Sequence, residues 1–204
     1  MRISAILFDL GGVLVELNHN ADNVPWFDND RSASENWQRW LTSPVSQQFE
    51  RGLISPQEFA ERFIKDNKVP LEPDSFLKHF ESWVIGFYPG TFSLLQQLSA
   101  LYPIGVFSNS NEVHWPRLYT QMQYHGSISY YFTSYLMGVA KPDPASFNHV
   151  ATSMGIAPEE ILFLDDNPIN VESAWRSGFL AEQVSSFEQI PALLKTFGIN
   201  LENQ

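Results

Sequence analysis

A chain of 204 residues with 12 Lys and Arg against 23 Asp and Glu, a net charge of −11 and no cysteine excludes several functions at once. Disulfides, thiolate catalysis and Cys-ligated metal are ruled out, and basic residues scattered without a run give no electrostatic footprint for nucleic acid. With 44% hydrophobic residues the chain can bury a core in one large domain, or in one domain carrying an insertion, while no apolar stretch reaches the ~18 residues of a membrane span.

The N-terminus runs straight into a strand-like Ile3-Ser-Ala-Ile-Leu-Phe8 without a basic leader, so a cytoplasmic protein is the simplest expectation. That run ends at Asp9 and a Gly11-Gly12 turn. From Glu16 to Tyr88 the pattern becomes helical and aromatic. Ser32-Ala-Ser-Glu35 reads as a capping box ahead of Trp37, Trp40 and Leu41, and Ser55-Pro-Gln-Glu58 as a second, ahead of Phe59 and Phe63. Pro73-Asp74 opens a further helix through Phe76, Phe80 and Trp83. These aromatics fall at helical spacing and are read as core, not as a stacking platform for substrate.

Thr91 to Leu101 is predicted helical through Phe92, Leu95, Leu98 and Leu101. Ile104-Gly-Val-Phe107 is a second short strand, ending at Ser108-Asn-Ser-Asn111, and Tyr130-Tyr-Phe-Thr133 is a weaker one. Asp143-Pro144 caps a helix that Gly155 stops. Ile161-Leu-Phe-Leu164 is a third strand, ending at Asp165-Asp166-Asn167. A helix from Val171 to Arg176 and a strand near Leu180 to Val184 follow. Strands apolar on both faces, alternating with helices, predict a doubly wound α/β fold with a parallel sheet covered on both sides. Residues 1–15 and 89–204 are expected to form this core. Residues 16–88 are expected to form an all-helical cap, hinged near 15–20 and 85–90.

In open α/β sheets ligands bind at the carboxyl ends of the strands. Asp9 ends the first strand, Ser108 and Asn109 the second, Asp165 and Asp166 the third, and Lys141 lies in the loop before the capped helix. Each has an ordinary reading, as a turn residue, a helix cap or an exposed lysine. Their common place at one sheet edge favours a single site. Carboxylates arriving from two strands make a hard-oxygen site suited to Mg²⁺, which would also screen a phosphate from an acidic surface. His19 at the hinge, as a substitute proton donor, and His114, Arg51 and Gly52 are lesser candidates for facing the cleft.

The runs Ile6-Leu-Phe-Asp-Leu-Gly-Gly-Val13, Val106-Phe-Ser-Asn109, Lys141-Pro-Asp143 and Phe163-Leu-Asp-Asp-Asn167 resemble the four motifs of the haloacid dehalogenase superfamily, and the helical insertion resembles its cap. The resemblance implies a Rossmann-like core and hydrolysis of a small phosphorylated metabolite through an aspartyl-phosphate. It makes Asp9 the nucleophile and a Mg²⁺ ligand. Ser108 and Asn109 bind the phosphoryl group, and Lys141 neutralises charge. Asp166, with Asp165 alongside and the Gly11 carbonyl, completes the metal site.

Two positions depart from the family pattern. Gly11 stands where phosphatases carry the Asp that protonates the leaving group, and Asn170 where they carry an acid. The Asp-Leu-Gly variant resembles cap-bearing phosphatases of sugar phosphates, whose leaving group needs little protonation. A catalytically silent phosphate-binding or partner-binding domain is the main alternative. A 2-haloacid dehalogenase is a third, disfavoured because a metal-free site gains nothing from the Asp165-Asp166 pair. No nucleic-acid or membrane partner is expected, and oligomeric state is not indicated.

Overall fold

The computed structural model describes residues 2–18 and 39–201. His19, the Ser32 to Glu35 capping box and Trp37 lie outside the described residues. Five parallel strands form the main sheet: β1 (Ala5–Phe8), β4 (Ile104–Ser108), β5 (Tyr130–Thr133), β6 (Ile161–Asp165) and β7 (Leu180–Gln183), in the order β5-β4-β1-β6-β7. Parallel neighbours with helical crossovers force both faces to be covered. Successive residues accordingly enter opposite cores. Ile6, Phe8, Val106 and Leu164 pack in one cluster, while Leu7, Phe107 and Phe163 pack in the other.

Helices α4 (Thr91–Ser99), α5 (Trp115–His125) and α9 (Ile190–Thr196) cover the first face, through residues such as Leu95, Trp115, Met122 and Leu194. Helices α7 (Pro144–Met154) and α8 (Pro168–Arg176) cover the second, through Phe147, Val150, Val171 and Ala174. The Asp143 carboxylate accepts from the Ala145 amide at 2.9 Å and Gly155 ends α7 at φ 64°, so both signals of that helix act as the sequence indicates. A short α6 (Ser134–Met137) follows β5 directly. Helix α4 stops two residues short of Leu101, which is 59% exposed. Leu94, Leu95 and Leu98 make its buried face instead.

Between β1 and α4 the described chain contains α1 (Pro44–Glu50), α2 (Pro56–Asn67) and α3 (Pro73–Glu81), preceded by a helical stretch at 39–42. Their aromatic residues pack among themselves. Trp40, Phe49, Phe59, Phe63, Phe76, Phe80 and Trp83 form a cluster separate from both faces of the sheet, with Phe49 and Phe59 stacked at 4.3 Å. Ser55 caps α2 by accepting from the Glu58 amide at 3.2 Å.

The two ends of this segment are not helical. β2 (Val15–Leu17) and β3 (Val84–Phe87) pair antiparallel, and the Arg117 guanidinium of α5 donates to the Val84 carbonyl. The segment is thus joined to the sheet by a paired ribbon whose strands carry backbone hydrogen bonds to each other. No helix among the described residues is long and apolar enough to cross a membrane.

Candidate active site

The carboxyl ends of β1, β4 and β6 lie side by side because β1 pairs with both of the others. Asp9 therefore stands between Ser108 and Asp165. The Asp9 amide donates to the Leu164 carbonyl at 2.8 Å, which fixes where its side chain leaves the sheet. The chain then turns on the Leu10 carbonyl, which accepts from the amides of Val13, Leu14 and Val15. Gly12 within that turn has φ 75°, and a Cβ there would come 2.6 Å from Asp166 Oδ2. Glycine is required on both counts, by conformation and by the close approach of a carboxylate.

Lys141 reaches this strand edge from the loop before α7. Its side chain is buried, 4% exposed as a residue, which for a lysine demands partners. It has three: its Nζ lies 3.0 Å from Asp9 Oδ1 and 2.6 Å from Asp165 Oδ2, and donates to the Phe107 carbonyl at 2.8 Å. The Asn109 side chain holds the lysine backbone from both sides, donating to the Lys141 carbonyl at 2.8 Å and accepting from its amide at 2.9 Å. Burial works against the ammonium, but Asp165 and Asp9 outweigh it and hold Lys141 above the ordinary lysine range.

The two acidic residues of the last strand are differently placed. Asp165 is fully buried. It accepts from Lys141 Nζ, from the Asn167 amide at 2.8 Å, and from Asn170 Nδ2 at 3.0 and 3.1 Å to its two oxygens. A carboxylate has about four lone-pair sites, and these contacts fill them. Asp166 keeps contact with solvent. Partial withdrawal from water, then the charges of Asp9 and Asp165, push its carboxyl up to about 7. At Asp9 burial is again the chief cause of a raised pKa, with Lys141 opposing it and Asp165 adding to it.

Ligand atoms of Asp9, Asp165 and Asp166 all lie within 4.8 Å of one another. Fully ionised, these three carboxylates outnumber the single ammonium of Lys141 and leave two negative charges uncompensated. Asp9 Oδ1 is moreover buried, with Lys141 Nζ as its ion-pair partner at 3.0 Å. A divalent cation with a preference for oxygen fits the charge of this cluster, with Asp9 and Asp166 as the carboxylates open to it and Asp165 behind them.

Asp9, Gly11, Ser108, Asn109, Lys141 and Asp166 line one cleft of about 420 Å³. Asp165 lies behind it. Trp40, Glu50 and Trp83 from the helical segment line the same cleft, so both parts of the chain contribute to it. A larger hollow of about 720 Å³ near Leu94, Phe187 and Ile199 has Lys195 as its one ionisable lining residue and contains none of this chemistry.

His114 also lines the cleft, but both ring nitrogens are committed. Nε2 lies 2.7 Å from the Phe80 carbonyl, which can only accept, and Nδ1 lies 3.2 Å from the Asn111 side-chain nitrogen, which can only donate. The ring is thereby fixed as neutral, and burial pushes its pKa down to about 4. Gly52 does not face the cleft; it abuts the Tyr135 carbonyl. Glu50 is the residue that spacing does not single out. Its only sequence signal is a place one residue before Arg51.

A family model of haloacid dehalogenase-like hydrolases matches residues 3–178. Among curated proteins the chain is 29% identical to flavin mononucleotide hydrolase 1 of Arabidopsis thaliana over 76% of its own length, and spans 62% of that protein. It is 25% identical to a phosphatase of Mycobacterium tuberculosis, covering 89% of this chain and 87% of the relative. Among solved structures, a HAD family enzyme of Bacteroides thetaiotaomicron in complex with magnesium and inorganic phosphate superposes with a TM-score of 0.73. Identity to it is 26%, over 89% of this chain and 93% of the other.

Proposed function

Because this chain belongs to the haloacid dehalogenase-like hydrolases, we propose that it is a Mg²⁺-dependent phosphohydrolase acting on a small phosphomonoester, with sugar phosphates as the leading substrate class. The observation that carries this reading is the Asp9–Lys141–Asp165 contact at 3.0 and 2.6 Å. It opposes the cost of burying the Asp9 carboxylate and sets it at a cleft of metabolite size. Residues 1–15 and 89–204 act as the catalytic core and 16–88 as a cap that contributes to the same cleft.

Asp9, Asp166 and the Gly11 carbonyl would hold the metal, which when bound neutralises phosphate charge. Asp165 supports the site from behind, since its lone pairs are taken. Asp9 attacks phosphorus with the carboxylate oxygen that faces the cleft. Lys141 and the Ser108 hydroxyl stabilise the phosphoryl oxygens as charge builds on them. The Asn109 side chain is occupied in orienting Lys141, so its contribution to phosphate falls to its backbone. Phosphate-bearing ligands in named relatives, flavin mononucleotide hydrolase and the magnesium–phosphate complex, support the same class.

Gly11 favours a second reading, a silent phosphate-binding domain. Binding alone, however, does not call for a buried carboxylate paired with a buried lysine. The test is a phosphate-release panel of sugar and aryl phosphates with Mg²⁺ and with EDTA. Hydrolysis is expected only with Mg²⁺, and Asp9→Asn is expected to abolish it. Wild-type rates in that variant would remove the mechanism.

A further inference from the structure

Asp9, Ser108, Lys141 and the metal leave one chemical role without a side chain. An alkoxide leaving group needs a proton, and water attacking the phosphoenzyme must lose one, yet Gly11 has nothing to give or take. Among the described residues, five ionisable ones line the cleft: Asp9, Glu50, His114, Lys141 and Asp166. Asp9 is the attacking group. Lys141 is bound between two carboxylates. Asp166 belongs to the carboxylate cluster that suits the metal. His114 spends both nitrogens on Phe80 and Asn111. Glu50 remains.

We propose that Glu50, presented to the cleft from the end of α1, is the general acid and base of this reaction. The proposal rests on the phosphohydrolase reading and extends it to a residue of the helical segment. Three observations carry it. Glu50 lines the same cavity as Asp9 and Lys141. Trp40 Nε1 donates to its Oε1 at 3.3 Å, so one oxygen is anchored while no donor among the described residues engages the other. The loop after it is pinned, because Gly52, at φ 66°, leaves no room for a Cβ, which would come 2.3 Å from the Tyr135 carbonyl.

The electrostatics agree with that placement. Glu50 is half-buried as a residue. Withdrawal of its carboxyl from water, only partly opposed by the Trp40 hydrogen bond, with Asp9 adding to it and Lys141 and Arg51 offsetting it, pushes it up to about 7. A carboxyl poised there is available in both protonation states at neutral pH, as a group that must first donate and then accept requires. The carbonyl end of α1 also opposes negative charge at this position.

The proton account closes. As the Asp9 oxygen bonds to phosphorus and the bond to the leaving oxygen breaks, Glu50 gives its proton to that oxygen and becomes a carboxylate. Water then attacks the phosphorus of phospho-Asp9 while Glu50 takes the water proton. The bond from phosphorus to Asp9 breaks, inorganic phosphate leaves, and both carboxyl groups are restored.

The test uses alkyl and aryl phosphates ranked by leaving-group pKa, with Mg²⁺. Glu50→Gln keeps the length of the side chain and an oxygen for Trp40. Its kcat/KM is expected to fall about 10²–10⁴-fold for alkyl esters and far less for aryl esters with good leaving groups. With those good esters kcat still falls, and phospho-Asp9 accumulates, visible by intact mass after an acid quench. Adding Gly11→Asp to Glu50→Gln is expected to restore the alkyl esters, because a Cβ at Gly11 meets only the movable Leu17 side chain, at 3.1 Å.

An equal loss across all leaving groups, without phosphoenzyme, marks a structural role and overturns the proposal. So does a wild-type slope in Glu50→Gln. The wild type is a test by itself: a steep dependence of its kcat/KM on leaving-group pKa means that no acid acts, whether or not a variant folds. If wild-type hydrolysis needs neither Asp9 nor Mg²⁺, the underlying phosphohydrolase reading fails, and Glu50 with it. An Asp9-dependent enzyme with an unaltered Glu50→Gln sinks the Glu50 role alone.

Discussion

Lys141 carries a burden that its surroundings make measurable. It is the single cation among Asp9, Asp165 and Asp166, and it is buried with two of them. Breaking a buried charge network by removing one partner costs about 3–5 kcal/mol, because the remaining charges are left uncompensated. Lys141→Met is therefore expected to lower unfolding free energy by roughly that amount at pH 8 in EDTA, and by less at pH 5, where Asp166, pushed up to about 7, carries a proton and leaves less negative charge uncompensated. Urea unfolding at the two pH values checks this, and equal losses at both would contradict it. Loss of one stabiliser of transition-state charge should also cut phosphate release by about 10²–10³-fold.

At this scale the convergence of the candidate residues is legible because strand ends in an α/β sheet meet at one edge, and polar residues there stand out against apolar runs. The resemblance ranks Asp166 ahead of Asp165, but the physical cause of their different placement is not legible. It depends on Asn170, whose amide reaches both oxygens of Asp165, a contact set by the pitch of α8. Glu50 was hidden for a related reason. Its role comes from how α1 packs at the cleft, and no spacing along the chain encodes that.

The elements that fix Glu50 form a continuous path into the sheet. α1 ends at Glu50, Gly52 abuts the Tyr135 carbonyl, and the neighbouring Ser134 hydroxyl donates to the Ser110 carbonyl and accepts from the Ser110 amide, at 3.0 Å each. Ser110 follows Asn109, which holds Lys141. Gly52→Ala places a Cβ where the Tyr135 backbone stands, in a conformation L-residues resist at about 1–2 kcal/mol. The expected result is a loss of about that size or more in unfolding free energy, with alkyl phosphates losing more kcat/KM than aryl phosphates as Glu50 is displaced. Unchanged leaving-group selectivity would show that this contact does not position Glu50.

The longer elements follow from their caps and apolar periods, as α2, α3 and α7 illustrate. The β2–β3 ribbon does not, since strands of three and four residues pair only across the whole helical segment. α1 escapes for lack of periodicity, with Val45 and Phe49 as its buried apolar residues, although Ser43 caps it.

For the whole molecule, acidity and site chemistry meet in the response to pH and metal. The chain carries a net charge of −11, and its cleft concentrates further carboxylates that resist ionisation. Asp166 and Glu50 both rise to about 7, from ordinary values of 3.8 and 4.5. A carboxyl raised on folding binds its proton more tightly in the native state. Its contribution is thus fully present below the unfolded value and is lost as pH climbs through the folded one. In EDTA, Tm is expected to fall between pH 5 and pH 8.

Mg²⁺ should reverse that fall, because it binds the ionised carboxylates and only the native chain assembles them. At a hundredfold excess over Kd the stabilisation is about 2.7 kcal/mol, which for a chain of this length is roughly 5–10 °C in Tm. The gain should be large at pH 8 and small at pH 5, where protons compete for Asp166. Asp166→Asn should both flatten the pH dependence in EDTA and abolish the Mg²⁺ gain. Thermal melts of the two proteins, with and without Mg²⁺ at each pH, decide the matter. A gain independent of pH, or one that survives Asp166→Asn, would mean that the ion is held somewhere other than beside Asp9.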